Sequence, residues 1–487
     1  MSADRPINAD VTPPEQGPEQ VAEPKTVQAI PGRDRKEATD APETAEEPPA
    51  ETAGADEPPP APRRRRHSPI PGPIKLVAVL VVVAIGFIVL AIVGGSGSKK
   101  GGGSAAPAPA ATTTAAGDST SPESSAESGS EGAGGGQTAT AEELGYPAFA
   151  TSNTTRIGGP DPVADAAATA LAVFPSTNEK QRPVAVALAS TEDWAGALAA
   201  GVLMAEPIRA PLLFGEAEGV PAATASALEA LQPRGGAASG GDAVLAIGDV
   251  AVPHGMSAAK VKAGDAASEA AAIARLRDRL AGHKPDAIVL ASSTEPAYAA
   301  PAAAYAARSG DPILFTEAET LSQPTVAELR RDEGVPVFAL GPTSAISGEV
   351  LKEVEELGAK VTRISGSNPV QSAISFARYE GKKFGWHVSD PGHGFVLGRS
   401  DAPLEAAAAA PLSASGTWGP LLLTDSADTL PSELRGYFLD VKPGYTTDPT
   451  RAFYNHVWII GDTGQISVEQ QAEVNEIAEL AKIGNEE

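Results

Sequence analysis

The chain has 487 residues, no cysteine and a formal net charge of −25. That length exceeds what one compact domain usually needs. The missing cysteine excludes disulfides, thiolate metal sites and a cysteine nucleophile, and the acidic balance argues against nucleic acid as a partner, because phosphate binding needs basic clusters.

Residues 1–73 open the chain with a tail dominated by Pro, Glu, Ala, Asp and Thr. Such a composition cannot bury enough apolar surface to offset its chain entropy, so the tail is expected to be disordered. It ends in Arg63, Arg64, Arg65 and Arg66. A run without a charge follows, "LVAVLVVVAIGFIVLAIV" at 76–93. At roughly 1.5 Å per residue, the segment 74–94 is long enough for one transmembrane helix. The Arg run and Lys75 precede it and only Lys99 and Lys100 follow closely. The positive-inside rule then places the N-terminus in the cytoplasm and the rest of the chain outside the cell membrane. Thr26, Thr39, Thr44 and Thr52 lie in this acidic tail. Phosphorylation there would create a docking site for a cytoplasmic phosphothreonine reader. Residues 95–145, rich in Gly, Ala, Ser, Thr and Pro, read as a flexible extracytoplasmic linker.

From residue 146 the pattern is globular and repeats three times. The phrases "APLLFGEAEG", "DPILFTEAET" and "GPLLLTDSAD" begin at 210, 311 and 419. Around them recurs one order of parts: an opening phrase (155–170, 259–274, 361–377), a strand-like run (184–190, 287–293, 395–400), an Ala-rich helix, the proline phrase, and a closing strand (243–248, 337–341, 457–461). The strand runs are short, continuous and apolar, as in strands covered on both faces. Strands alternating with helices predict an α/β fold with a small parallel sheet in each unit. Expected bounds are 146–256, 257–360 and 361–483. The acids that follow the proline phrases, Glu216, Glu317 and Asp425, are expected at the carboxyl ends of strands, where open α/β sheets bind ligands; capping of the next helix is the competing expectation. Trp194 and Tyr298, just after the first strands, are candidate sugar-stacking rings or buried aromatics. Trp418 precedes the third proline phrase.

No catalytic constellation is legible. The five histidines after residue 146 form no HExxH, and no GxSxG elbow exists. "HVSDPGHG" at 387–394 holds two histidines and Asp390, but on loop residues with no metal-binding geometry. No enzyme activity, metal or cofactor is expected.

The ordered recurrence of "RI.G....A...A", a proline-apolar phrase, and a strand ending in Gly before "..[A/Q]IS" resembles the cell wall-binding repeat 2 family. The resemblance covers roughly 150–483. It rests on Arg156, Ile157 and Gly159, on Arg363, Ile364 and Gly366, and on the three proline phrases. It implies three Rossmann-like units in a pseudo-threefold body that attaches a protein to the cell wall. Arg156 and Arg363 then become candidate ligand-binding residues. The chain departs from the family where an Arg-Tyr pair would follow the glycine, here Pro162-Val163, Ala266-Ala267 and Pro369-Val370. The expected partner is therefore a cell-wall polymer, here a glycan, or alternatively an envelope protein for which the body is a scaffold or regulator.

Overall fold

The computed structural model describes residues 150–415 and 419–484. The expected tail, membrane span and linker, with the four tail threonines, lie outside the described residues, as does Trp418. Among the described residues no helix is long and apolar enough to cross a membrane.

In the first copy, β1 (Thr154–Ile157) leads into α1 (Pro162–Val173), followed by β2 (Val186–Ser190), α2 (Trp194–Ala200), β3 (Leu212–Gly215), α3 (Ala222–Leu231) and β4 (Val244–Ile247). The second runs β5 (Ala258–Val261), α4 (Ala266–Ala281), β6 (Ile288–Ser292), α5 (Pro296–Ser309), β7 (Ile313–Thr316), α6 (Gln323–Arg331), β8 (Val337–Leu340) and α7 (Gly348–Glu356). The third runs β9 (Val361–Ile364), α8 (Pro369–Arg378), β10 (Gly394–Arg399), α9 (Pro403–Ala414), β11 (Leu421–Thr424), α10 (Ser432–Asp440), a short β12 (Gly444–Tyr445), β13 (His456–Ile460), α11 (Val468–Ala478) and β14 (Ala481–Lys482).

Local chemistry explains the repetition. The opening helices are capped at one equivalent position: Asp161 accepts from the Ala164 amide at 2.9 Å, Asp265 from Ser268 at 2.8 Å and Asn368 from Gln371 at 2.8 Å. Such caps satisfy amides that the first helical turn leaves unpaired. The proline phrase makes the outermost strand of each sheet, β3, β7 and β11. Proline has no N–H to donate, so it suits a strand start at an edge. Its carbonyl still accepts from the neighbouring strand: Pro211 from Ala187 and Pro312 from Val289 at 2.9 Å, Pro420 from Val396 at 3.0 Å. The phrase recurs because the same edge is built three times.

Three four-stranded sheets result, in the orders β3-β2-β4-β5, β7-β6-β8-β9 and β11-β10-β13-β1. Every pairing within them is parallel. Sheet membership is offset from the sequence repeat by one strand. Each opening strand joins the sheet of the preceding copy: β5 pairs with β4 and β9 with β8. The N-terminal β1 has no preceding copy, and pairs with β13 near the other end of the chain, from Thr154↔Val457 to Ile157↔Ile460. The helix after each opening strand packs on the next sheet, α1 on β3, α4 on β7 and α8 on β11. Each strand–helix pair thus links two units, and β1 with α1 closes the circle.

The Ala-rich helices α2, α5 and α9 touch one another pairwise. Ala302, Ala303, Ala304, Ala306 and Ala307 on α5, and Ala406 to Ala410 on α9, are all within 1% of complete burial. Methyl side chains let these helices lie close to their sheets. They equally allow close approach between helices, because methyl side chains keep backbones near each other. One continuous hydrophobic core runs through residues of all three copies, with a smaller cluster behind the second sheet.

Candidate functional site

In each sheet the order reverses once, between β2 and β4, β6 and β8, and β10 and β13. The crevice outside the carboxyl ends of those strands is where this class of sheet places ligands. The three crevices are lined differently.

In the first, Glu269 on α4 faces Asp193, the cap of α2, over Gly196. A Cβ on Gly196 would lie 2.3 Å from an Asp193 carboxylate oxygen and 2.8 Å from Glu269 Oε1. Burial, followed by the Asp193 charge, pushes Glu269 up to about 7. Glu269 Oε1 itself is buried and has no hydrogen-bond partner. In the second, Tyr298 occupies the position equivalent to Gly196. Its Cβ and Cγ lie 3.2 and 3.3 Å from where Gly341 would carry a Cβ, so the residue packs over the end of β8.

In the third, Glu405 on α9 takes that same position, and Asp165 on α1 is the counterpart of Glu269. Glu405 is 3% exposed and Asp165 fully buried. Burial, then the charges of Asp401 and Asp462, raise Glu405 to about 7. Burial, then Glu405, hold Asp165 well above the usual carboxylate range, against the Gly159 amide that donates to it at 2.7 Å. Arg399 at the end of β10 chelates Asp401 through Nε at 3.0 Å and Nη2 at 2.8 Å.

The residues singled out from sequence divide into three groups. Glu216, Glu317 and Asp425 do stand at strand carboxyl ends, exposed. They do not cap the helices that follow, whose caps are Pro221, Ser322 and Pro431. Trp194 and Tyr298 are half-buried. Trp194 meets Phe315 of the second copy edge-on at 5.7 Å, and so packs between units. It aligns with Pro296, two positions before the place held by Tyr298, so the two rings leave their helices on different faces.

Arg156 and Arg363 lie beneath the closing loops. Arg156, 1% exposed, donates to the carbonyls of Gly461, Asp462 and Ile466 at 3.0, 2.7 and 2.6 Å, and to Gln471. Arg363 donates to Gly341, Ile346 and Ser347 carbonyls at 2.8, 2.7 and 3.3 Å. Burial lowers the pKa of both. Each arginine fixes the loop that follows its sheet's closing strand. Sequence reasoning passed over Asp165, Glu269 and Glu405, although an acid at one matching position in two opening phrases was visible.

His393 pairs with Asp390 at 3.1 Å on a surface loop. Among the described residues no group of three or more His, Cys, Asp or Glu could hold a metal ion. An open pocket of about 560 Å³ against α3, lined by Val220, Leu228, Arg234 and Met256 among others, contains none of the candidate residues.

Fold and crevices define a three-repeat α/β protein with interlocked Rossmann-like units. Residues 261–351 match the model of cell wall binding domain 2. A segment of 93 residues is 30% identical to the N-acetylmuramoyl-L-alanine amidase LytC of Bacillus subtilis (strain 168), over 19% of each chain. In fold, the chain is similar to Cwp6 from Clostridium difficile (TM-score 0.53, 18% identity, 67% of this chain and 47% of that one) and to Cwp8 from the same organism (0.51, 17%, 67% and 52%). The chain thus spans about half the length of these two structures and less of the amidase. These findings support the cell wall-binding repeat family.

Proposed function

We propose that this is a non-catalytic, membrane-anchored envelope protein whose three-repeat body binds cell-wall glycan. The observation that carries the reading is the match of residues 261–351 to cell wall binding domain 2. Three polar crevices at strand carboxyl ends suit it. The apolar segment 74–94, flanked by its basic run, supports a single span with the N-terminus in the cytoplasm.

A second reading, a scaffold or regulator for envelope-building enzymes, draws support from the acidic balance. A field of that sign disfavours non-specific adhesion to anionic wall polymers. Co-sedimentation of the full chain with walls stripped of protein separates the two. Retention supports glycan recognition. Binding only to walls that keep their proteins would sink it in favour of the scaffold.

A further inference from the structure

The third crevice differs from the other two in what it leaves unpartnered. In the second sheet, Ser372 replaces Asp165 and its Oγ accepts from the Gly366 amide at 2.9 Å, while Tyr298 covers the strand end. In the first, Glu269 and Asp193 face each other, and Glu269 Oε1 is the one unpartnered atom. In the third, Asp165 Oδ1 takes the Gly159 amide and Glu405 Oε1 takes Gln465 Nε2 at 2.6 Å. Asp165 Oδ2, Glu405 Oε2 and Arg399 Nη1 are buried and have no hydrogen-bond partner. Buried polar atoms in folded proteins are normally paired, so an unpaired group asks for an explanation.

The three residues are neighbours, since the charge of Glu405 acts on both Asp165 and Arg399. Glu405 Oε2 lies 3.5 Å from where Gly461, at the end of β13, would carry a Cβ. Asp165 Oδ1, the oxygen that accepts from Gly159, lies 2.2 Å from where Gly158, at the end of the adjoining β1, would carry a Cβ. Arg399 ends β10. Two carboxyls and one guanidinium, each with an unpartnered atom, therefore stand at the strand ends where the sheet order reverses.

Charge narrows the ligand. Asp161, Asp401, Asp425 and Asp462 are exposed around the crevice. Of the cations, Arg399 is chelated by Asp401, and Arg156 is buried beneath the closing loop. Phosphate or carboxylate would be repelled. A hydroxyl is neutral and both donates and accepts, so hydroxyls can pair with the two carboxyls in either protonation state while one accepts from the guanidinium.

We propose that the crevice between the carboxyl ends of β10 and β13, which leaves the most buried polar atoms unpartnered, is a subsite for an uncharged, hydroxyl-bearing sugar residue. The proposal rests on the glycan reading above and deepens it. The test is titration calorimetry of the full chain in detergent micelles. One probe is a neutral wall polysaccharide freed of protein and phosphodiester polymers, and the other is the anionic polymer fraction. The neutral fraction is expected to bind at one site per chain. Glu405→Gln replaces a carboxyl that can accept or donate by an amide of fixed roles and should weaken binding at least tenfold. Arg399→Gln, which removes the unpartnered donor, should act likewise and serves if the first variant does not fold. Exposed Glu353→Gln is the charge-matched control and should bind as the parent. Unchanged affinity in both crevice variants overturns the subsite and leaves the glycan reading intact, as does binding confined to the anionic fraction. Binding abolished by EDTA also overturns it, in favour of a cation held by the same acids. No binding to either fraction or to intact walls overturns both readings.

Discussion

Arg156 on β1 donates to the side chain of Gln471 on α11 at 3.1 Å through Nε and 2.9 Å through Nη2, across 315 positions of sequence. Gln471 in turn donates to Thr154 Oγ1 at 3.0 Å. The contact ties the first strand of the body to its last long helix. Arg156→Met would leave three loop carbonyls and the Gln471 amide without their donors. Hydrogen bonds to charged groups and the cost of unpaired buried acceptors put the expected loss at roughly 3 kcal/mol or more. Arg363→Met should cost less, because Arg363 is only half-buried and makes no such bond between chain ends. Urea midpoints of the two variants check the order.

Removing residues 150–158 tests the closure itself. β13 would lose its partner on one side and present an unpaired edge within a sheet. Such edges invite pairing with another chain. Dimers or larger species by size-exclusion chromatography are expected, together with a broadened unfolding transition. A monomer that unfolds like the parent would show that β1 is dispensable.

Gly158 has φ +131°, and an added Cβ would meet Asp165 at 2.2 Å and the Gly461 amide nitrogen at 2.7 Å. Gly158→Ala combines backbone strain with a collision at the seam between β1 and β13. A loss of roughly 2–4 kcal/mol is expected, read from thermal or chemical unfolding.

The central helices give a prediction of opposite kind. A Cβ on Gly201, just after α2, would already lie 3.0 Å from the Ala303 carbonyl oxygen. Ala303→Leu therefore has no space to fill and should cost about 1–3 kcal/mol by overpacking, despite leucine's good helix propensity.

Stability should also depend on pH in a definite direction. Glu405 and Glu269 hold a proton up to about pH 7 in the folded state, against an ordinary value of 4.5. The folded state thus binds more protons than the unfolded one between those values. The contribution of these groups is largest below about pH 4.5 and declines as pH rises toward 7. For Glu405 the decline is roughly 2–3 kcal/mol. Asp265 and Asp401, whose pKa values are lowered, act oppositely and cost stability only when pH falls below the usual carboxylate range. In Glu405→Gln the slope between pH 5 and 7 should flatten, as urea unfolding at a series of pH values will show.

The strand character of the proline phrases was legible because a proline, an apolar run and a polar stop are local chemistry, and the α/β class followed from alternating apolar runs and helices; their edge position and the caps Asp161, Asp265 and Asn368 came from the structure. The ligand-facing residues were less legible. Arg156 and Arg363 are prominent in sequence because their loops cannot be held without them, and that prominence reflects support beneath the crevices. Glu405 sits in a run of alanines and looks like a solvated helix residue. Only its neighbours Asp401, Gln465 and Gly461, brought from other elements, make it a buried acid.

Sequence by itself determined that one unit is written three times and that its apolar runs are strands alternating with helices. Those features depend on residues a few positions apart. The tertiary structure alone decided that each opening strand belongs to the preceding sheet, that β1 completes the last one, and that three equivalent crevices carry different chemistry. Parallel pairing joins residues far apart in the chain, and a strand's own pattern does not record its neighbour. Whether a carboxyl is a solvated charge or a buried proton holder is likewise set by what other elements pack around it.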